Sequence, residues 1–390
     1  MKYLNTYNEN FENISNLYKN IYLAVFNNDI KKLNQLLQLI KNNYNILNND
    51  SKTEDSLLHI AVSNNNYNIV KLLLKYNIDV NSINLDYITP LHIAVETNNI
   101  KIVKLLLDYG ANINATNIDQ EFPLYISVYN DYLDMTKILL DYGANINKTY
   151  YNTSLFLYII DNSKYRFVKI FKNAGIDINK SLNDSNDTPL LISTFNDDLH
   201  MIKLLLELGA NPNIFNINKI YPIMNITNSR MLELLIEYNA KINITDYNNS
   251  SLLNHYIVNN ILSNERINMI KILIKKNINL NIQDLNKNTP LIYSIIYNMP
   301  EITKLLLKNN CDINIINKNN QTALHIAAFK HNMNIIKLLL KYNANYHIKD
   351  IYNNYFIDYL FDNQIKEIKN LYPKIYEKLK KIKKTNKFNL

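Results

Sequence analysis

Glycine occurs only four times, at Gly110, Gly143, Gly175 and Gly209, with spacings of 33, 32 and 34 residues. A residue so rare and so evenly placed has a backbone task. Each glycine follows an apolar helical run, such as Ile102-Val103-Lys104-Leu105-Leu106-Leu107-Asp108-Tyr109 before Gly110. That is where a helix ends in a left-handed residue, which glycine adopts without the penalty a Cβ imposes. Extending the register places Asn77, Asn239, Asn277, Asn310 and Asn343 at the same point. Asparagine tolerates that conformation next best. The chain is therefore expected to hold nine helix ends, about 33 residues apart, between positions 77 and 343. A period of this length means a stack of repeats and not a set of globular domains.

Proline marks the other end of the unit. Pro90, Pro123, Pro189 and Pro290 are each followed by Leu, and Pro222 by Ile; Thr89, Thr188 and Thr289 precede three of the five. Threonine suits a helix N-cap, and proline the first helical position, where no intrahelical bond is lost. In the clearest unit Thr89-Pro90-Leu91-His92-Ile93-Ala94-Val95 opens one short helix and Asn98-Asn99 turns the chain. Ile100 to Tyr109 then forms a second helix, with Ile102, Val103, Leu106 and Leu107 on its core face. Gly110-Ala111-Asn112-Ile113-Asn114 leads away as an extended loop.

This set of marks resembles the ankyrin repeat: the period, Thr-Pro-Leu-His-x-Ala, the Leu-Leu run, Gly-Ala and Asn-x-Asn. Thr89 to Asn114 matches nearly throughout, and Ser56-Leu57-Leu58-His59-Ile60-Ala61 and Thr322-Ala323-Leu324-His325-Ile326-Ala327 match with one or two changes. The resemblance implies an all-α ankyrin-repeat solenoid of paired antiparallel helices joined by interrepeat β-hairpin loops. The expected organisation is a segment 1–53 with capping helices, about nine repeats over 54–352, a C-terminal cap at 353–372 and a basic tail at 373–390. In the cap, Tyr355-Phe356-Ile357-Asp358 falls 33 residues after Thr322-Ala323-Leu324-His325. Tyr22-Leu23-Ala24-Val25 with Leu33, Leu36 and Leu37 echoes the helix pair at the other end.

The period is least regular in the middle. The sixth repeat, from Tyr221 to Asn239, loses about one turn; the seventh gains about six residues near Ser263-Asn264-Glu265-Arg266. These changes read as tolerated length variation, with a local bend or a specialised binding surface as the alternative.

Glycines 32 or more residues apart cannot build a phosphate loop, a dinucleotide fingerprint or a nucleophile elbow. None of the seven histidines forms a metal-binding spacing. His59, His92 and His325 occupy one slot of three repeats, and the resemblance gives that histidine a local role in bonding the repeat turns. The other repeats are expected to place Tyr125, Phe156, Leu191, Met224, Leu253 and Ile292 there, which a shared catalytic requirement would not allow. The chain thus reads as a non-enzyme with no cofactor and no metal. The single cysteine, Cys311, excludes an intrachain disulfide and fits a reducing, intracellular compartment. It stands where other repeats place a small Ala and reads as a packing residue. No apolar run is long enough to span a membrane, and the start of the chain lacks the apolar core of a signal peptide.

Net charge is +8, but Pro373 to Leu390 holds seven Lys and one Glu, so the repeat body is nearly neutral. The excess of Asn, Ile, Lys and Tyr reads as codon bias of an AT-rich genome. In an ankyrin chain that bias is similar to the ankyrin proteins of large cytoplasmic DNA viruses. It implies an adaptor or scaffold that binds a protein, with a host protein as partner and the host cytoplasm as compartment. Relatives there carry a C-terminal F-box-like segment, of which Leu371-Tyr372-Pro373-Lys374-Ile375 with Leu379 is a poor echo.

The family binds partners along a concave face made of hairpin tips and the exposed side of each first helix. Carried to this chain, the candidate contacts are Asp86, Tyr87, Asp119, Glu121, Tyr150, Tyr151, Phe215, Lys219, Tyr247, Lys287 and Lys318. Asp184, Asp187, Asp246 and Asp284 lie in the same loops, where aspartate also stabilises turns through its own side chain. A monomer is expected. The second reading is a nucleic-acid-associated or nuclear protein acting through the Lys-rich tail.

Overall fold

The computed structural model describes residues 15–40, 47, 55–258 and 264–386. Contacts divide the chain into two compact units, Met1–Ile178 and Asn179–Leu390. Among the described residues the first unit opens with a helix at 15–26, which contains the Tyr22-Leu23-Ala24-Val25 run, and Ile30–Leu39. Four helix pairs follow: Leu57–Ser63 with Tyr67–Lys75, Pro90–Glu96 with Ile100–Asp108, Pro123–Tyr129 with Leu133–Asp141, and Leu155–Asp161 with Tyr165–Asn173. We number these repeats 1 to 4. The second unit holds repeats 5 to 9. Its first helices are Pro189–Phe195, the 3-10 turn Pro222–Met224, Leu252–Val258, Pro290–Ile296 and Ala323–Phe329. Their partners are Leu199–Glu207, Ser229–Glu237, Asn264–Lys275, Pro300–Lys308 and Met333–Lys341. A 3-10 turn Phe356–Tyr359 and helices Asp362–Leu371 and Pro373–Asn386 close the described residues. The lysine-rich stretch is thus helical as far as it is described, with Leu379 buried beneath it.

A seven-residue helix is too short to stand alone in water. Those here are held by packing and most are capped at the start; the exception is Pro123–Tyr129, whose N-cap Phe122 makes no side-chain bond. Thr89, Thr188 and Thr289 accept the N–H three residues on through their hydroxyls, and proline occupies the next position in all three. The second helices begin the same way on Asn66, Asn99, Asp198, Asn228 and Asn332. Within each unit, most first helices pack on the first helix of a neighbouring repeat and on their own second helix, as Pro90–Glu96 does on Leu57–Ser63, Pro123–Tyr129 and Ile100–Asp108. The core is the row of Leu, Ile and Val that the period implies; Ile102, Val103 and Leu106 are fully buried.

The helix ends carry left-handed backbone. Gly110, Gly143, Gly175 and Gly209 have φ of 85–93°, and Asn77, Asn239, Asn277, Asn310 and Asn343 have φ of 55–66°. Two further left-handed positions recur in most repeats, one between the paired helices and one in the hairpin. Of the 23 non-glycine residues described with positive φ, 14 are asparagine. The Asn-rich composition therefore has a conformational use, whatever its genomic origin.

The middle irregularity takes a definite form. Repeat 6 has no room for a seven-residue first helix, and the 3-10 turn Pro222–Met224 replaces it. Repeat 7 has a second helix of 12 residues in place of nine. Of the segment 263–266, Ser263 lies outside the described residues. Glu265 caps the neighbouring helix from across the repeat boundary: its Oε1 accepts the Ser229 N–H at 2.6 Å and the Ser229 hydroxyl. Those hydrogen bonds hold the Glu265 carboxyl below its usual range. Arg266 donates to the Tyr256 carbonyl at 3.3 Å.

Candidate interaction surface

The hairpin loops are built on one side-chain device. Asn84, Asn117, Asn183, Asn216, Asp246, Asp284, Asn317 and Asp350 each turn Oδ1 back to accept the N–H four residues on, at 2.8–3.0 Å. The residue three places after this anchor is left-handed every time. Adjacent hairpins are tied by a single backbone bond: the N–H after the anchor donates to the carbonyl two after the preceding anchor. Examples are Ile118 to Asp86 at 2.9 Å in the first unit and Leu285 to Asn248 at 2.9 Å in the second.

This frame sorts the sequence-derived candidates. Asp246 and Asp284 are buried anchors, and Asp187 is buried accepting from Asn183 and Asn216, so these carboxylates hold loops together. Asp86, Asp119 and Asp184 project at the exposed tips. Glu121 is half-buried; its carboxylate accepts from Asn117 and its carbonyl from His92. Tyr87, Lys219 and Lys287 occupy the left-handed position, at φ of 55–57°. A bulky side chain there costs on the order of 1 kcal/mol against asparagine or glycine. Lys318 donates its N–H to Asn286. Phe215 is partly exposed and tilts on Tyr221, with centroids 5.0 Å apart. Lys219 lies over the exposed Tyr247 ring at 6.0 Å.

Repeat 4 departs from the pattern. Tyr150 takes the anchor position and cannot make the turn, so the loop becomes a two-residue hairpin. Thr149–Tyr150 pairs with Thr153–Ser154, and Tyr151 and Asn152 are both left-handed. Tyr150 stacks on Tyr125 at 4.0 Å, and Tyr151 meets Tyr150 edge-on at 4.8 Å. Tyr129 and Tyr158 pack around Tyr125, each at 5.8 Å, with Tyr129 exposed.

Sequence reasoning missed the most regular feature of the tips. The position directly after the anchor holds Leu85, Ile118, Ile217, Tyr247, Leu285 and Ile351, with Tyr151 at the equivalent place in repeat 4. All seven are between 48% and 63% exposed. Asp184 and Lys318 fill the two remaining sites. The signal was present: Leu85, Ile118, Ile217, Leu285 and Ile351 each stand eight residues after a helix-end Asn or Gly. Only Tyr151 and Tyr247 had been singled out.

The histidine slot lies behind this surface. Nδ1 of His59, His92 and His325 accepts the N–H of the N-cap Ser56, Thr89 or Thr322 at 3.1–3.2 Å. Nε2 donates to the carbonyl of Ile88, Glu121 or Asn354 in the next loop at 2.9–3.3 Å. The ring must be neutral for this, and burial pulls the His92 pKa down to about 4. Two slot assignments need correction. Ser154 and Ser251 are the N-caps of repeats 4 and 7, so the slots hold Leu157 and Asn254, not Phe156 and Leu253. Asn254 is fully buried and neither amide atom has a hydrogen-bond partner; Asn288 Oδ1, just before the next N-cap, is likewise buried without one. Cys311 is buried, and burial pushes its thiol up to about 12.

Among the described residues no group of three or more His, Cys, Asp or Glu could hold a metal ion. None of the described helices is long and apolar enough to cross a membrane. What the two units define is a helical-repeat protein whose hairpins display side chains over a rigid, hydrogen-bonded frame. A family model of ankyrin repeats (3 copies) matches residues 21–117, 83–150, 124–216 and 255–350, well over half of the chain. The chain belongs to the ankyrin-repeat family. It is similar to a solved structure of the ankyrin repeat domain of Bcl-3, described as a unique member of the IkappaB protein family. That match has a TM-score of 0.50 and 21% identity, covering 56% of this chain and 97% of the other. At this identity the likeness is one of fold. No match is found among curated protein sequences. Ankyrin repeats generally mediate contacts between proteins.

Proposed function

We propose that the chain is a non-enzymatic interaction scaffold that binds a partner protein through the hairpin tips and first helices of its repeats. One observation carries the reading: the tips display Leu85, Ile118, Tyr151, Ile217, Tyr247, Leu285 and Ile351 at one repeated, exposed position. Solvated loops gain nothing from apolar side chains, whereas buried aromatic and apolar anchors dominate interface energetics. Tyr87 and Tyr129 in the first unit and Phe215 in the second add exposed aromatic rings. The Asn-, Ile-, Lys- and Tyr-rich composition supports a viral origin, a host protein as partner and the cytoplasm as compartment, and the single cysteine supports a reducing one. The test is affinity capture of the tagged full chain from cells with mass spectrometry. It is run beside a variant with Leu85→Ser, Ile118→Ser and Tyr151→Ser, and another with Ile217→Ser, Tyr247→Ser and Leu285→Ser. Partners lost from either variant support the reading; identical partner sets from all three chains refute it.

A second reading attaches to the C-terminal helix Pro373–Asn386, where Lys374, Lys378, Lys380 and Lys381 are exposed around the buried Leu379. A cationic helix attracts polyanions, so nucleic-acid binding there would be steeply salt-dependent and would vanish on truncation after residue 372. No binding to double- or single-stranded nucleic acid at low salt ends this reading.

A further inference from the structure

In the first unit, charge is sorted by face. The hairpins and first helices of repeats 1 to 4 carry Asp55, Asp86, Glu96, Asp119, Glu121 and Asp161. Among the described residues they carry one cation, Lys148, and it is turned inward. Its ammonium donates to the Asn114 carbonyl and the Thr116 hydroxyl and lies 5.1 Å from the centre of the Phe122 ring; burial lowers its pKa. The second helices show the reverse, with eight basic side chains against three acidic ones, and Lys71, Lys104, Lys137 and Lys169 recur at one exposed position. Turn-building does not explain the acidic tips. The anchors of the first two hairpins are Asn84 and Asn117, so Asp86 and Asp119 are not needed to form the loops. In the hairpins of the second unit Asp246, Asp284 and Asp350 are buried anchors and Asp187 is buried too; Asp184 alone of these hairpin aspartates is exposed at a tip, and other tips carry Lys219, Lys287 and Lys318.

The apolar tips Leu85 and Ile118 therefore stand next to the exposed carboxylates of Asp86 and Asp119, with Tyr87, Tyr129 and Tyr151 offering aromatic faces. We propose that this surface of the first unit binds an extended segment of a partner protein in which apolar residues alternate with Arg or Lys. The proposal rests on the reading that the hairpin face takes a protein, and it adds the partner's chemistry. Apolar contact alone would not discriminate partners; complementary charge does, and it also speeds encounter. Arginine in particular gains from tyrosine faces beside a carboxylate. Packed repeats lie about 10 Å apart, and an extended chain rises about 3.3 Å per residue, so each tip meets every third residue of the segment.

The test uses a fluorescein-labelled peptide of four Leu-Arg-Ser triplets and its Leu-Glu-Ser counterpart, titrated with the full chain and followed by anisotropy. The arginine peptide is expected to bind, more weakly as salt rises, and the glutamate peptide to bind at least about tenfold less well. Asp86→Asn with Asp119→Asn should weaken the arginine peptide by about tenfold, while Lys71→Gln with Lys104→Gln, on the second helices, leaves it unchanged. Leu85→Ser with Ile118→Ser should weaken it too. Equal binding of the two peptides, or an unchanged affinity in the aspartate variant, overturns the proposal. Failure here is distinct from failure of the scaffold reading. If cellular partners are lost with Leu85→Ser and Ile118→Ser but kept with Asp86→Asn and Asp119→Asn, the face binds protein and the charge preference is wrong.

Discussion

Replacing Asn254 by leucine should stabilise the second unit. The side chain is fully buried, and both its Nδ2 and its Oδ1 lack a partner. Leaving a buried polar group unsatisfied costs about 1–3 kcal/mol. The slot itself accepts apolar side chains of this size: Leu191 in repeat 5 and Ile292 in repeat 8 fill it while almost completely buried. Asn254→Leu removes the desolvated amide without leaving a cavity, so a gain of about 2 kcal/mol is expected. Repeat arrays need not unfold as one body, so a whole-chain melt is a blunt readout. Hydrogen exchange by mass spectrometry, resolved to Leu252–Val258 and Pro290–Ile296, is the direct one. A gain of about 2 kcal/mol slows exchange through local opening by roughly thirtyfold. The reciprocal variant Leu191→Asn should speed exchange in repeat 5. Asn254→His should also protect repeat 7 near neutral pH, because histidine in this slot bonds both the N-cap and the next loop in repeats 1, 2 and 9. Unchanged or faster exchange in Asn254→Leu would refute the reasoning and mean that the amide is satisfied in solution.

Three further outcomes are expected. Asn77→Gly or Asn343→Gly should stabilise its repeat by about 1 kcal/mol or less in denaturant melts, because both residues are left-handed, at φ 55° and 62°, and glycine relieves the strain; clear destabilisation would contradict the helix-end assignment. Tyr256→Phe should cost about 1–2 kcal/mol, read as a lower urea midpoint, since the buried hydroxyl donates to the Ile223 carbonyl at 2.7 Å and would leave that carbonyl unpaired. Stability should also fall with acid through the histidine slots. His92 is pulled down to about 4 in the fold, so its contribution is complete above the unfolded value of about 6.5 and is lost as pH drops towards 4, on the order of 3 kcal/mol. His325 is lowered by burial as well and adds in the same direction. Urea midpoints measured from pH 7 to pH 4 check this, and His92→Gln should flatten the dependence.

How much of this was legible in the residues follows from how local each cause is. A left-handed helix end is a property of one residue, so four glycines and five asparagines were enough to place the repeats. The same holds for the threonine caps and for the correct histidine slots. The errors arose where the cause was not local. Phe156 and Leu253 fall one residue short of the slot, which is set by the N-cap three residues earlier. Ser154 and Ser251 are those N-caps, 32 and 30 residues after the N-caps Phe122 and Tyr221 of the preceding repeats, so an even period does not find them. The role of Glu265 was hidden for a similar reason. It caps a helix of the preceding repeat, 36 residues away in sequence, and only packing brings them together. The tip residues lie between these cases. An apolar side chain in a loop is ordinary taken singly, and its exposure depends on the hairpin frame around it. The aspartates show the same dependence: Asp284 and Asp86 look alike in the sequence, yet one is a buried anchor and the other an exposed tip. Two residues of register, fixed by which position turns its Oδ1 back on the loop, separate a structural carboxylate from one offered to a partner. The acidic face of the first unit emerges only once that register is known, because there asparagine has taken over the anchoring and left aspartate at the surface.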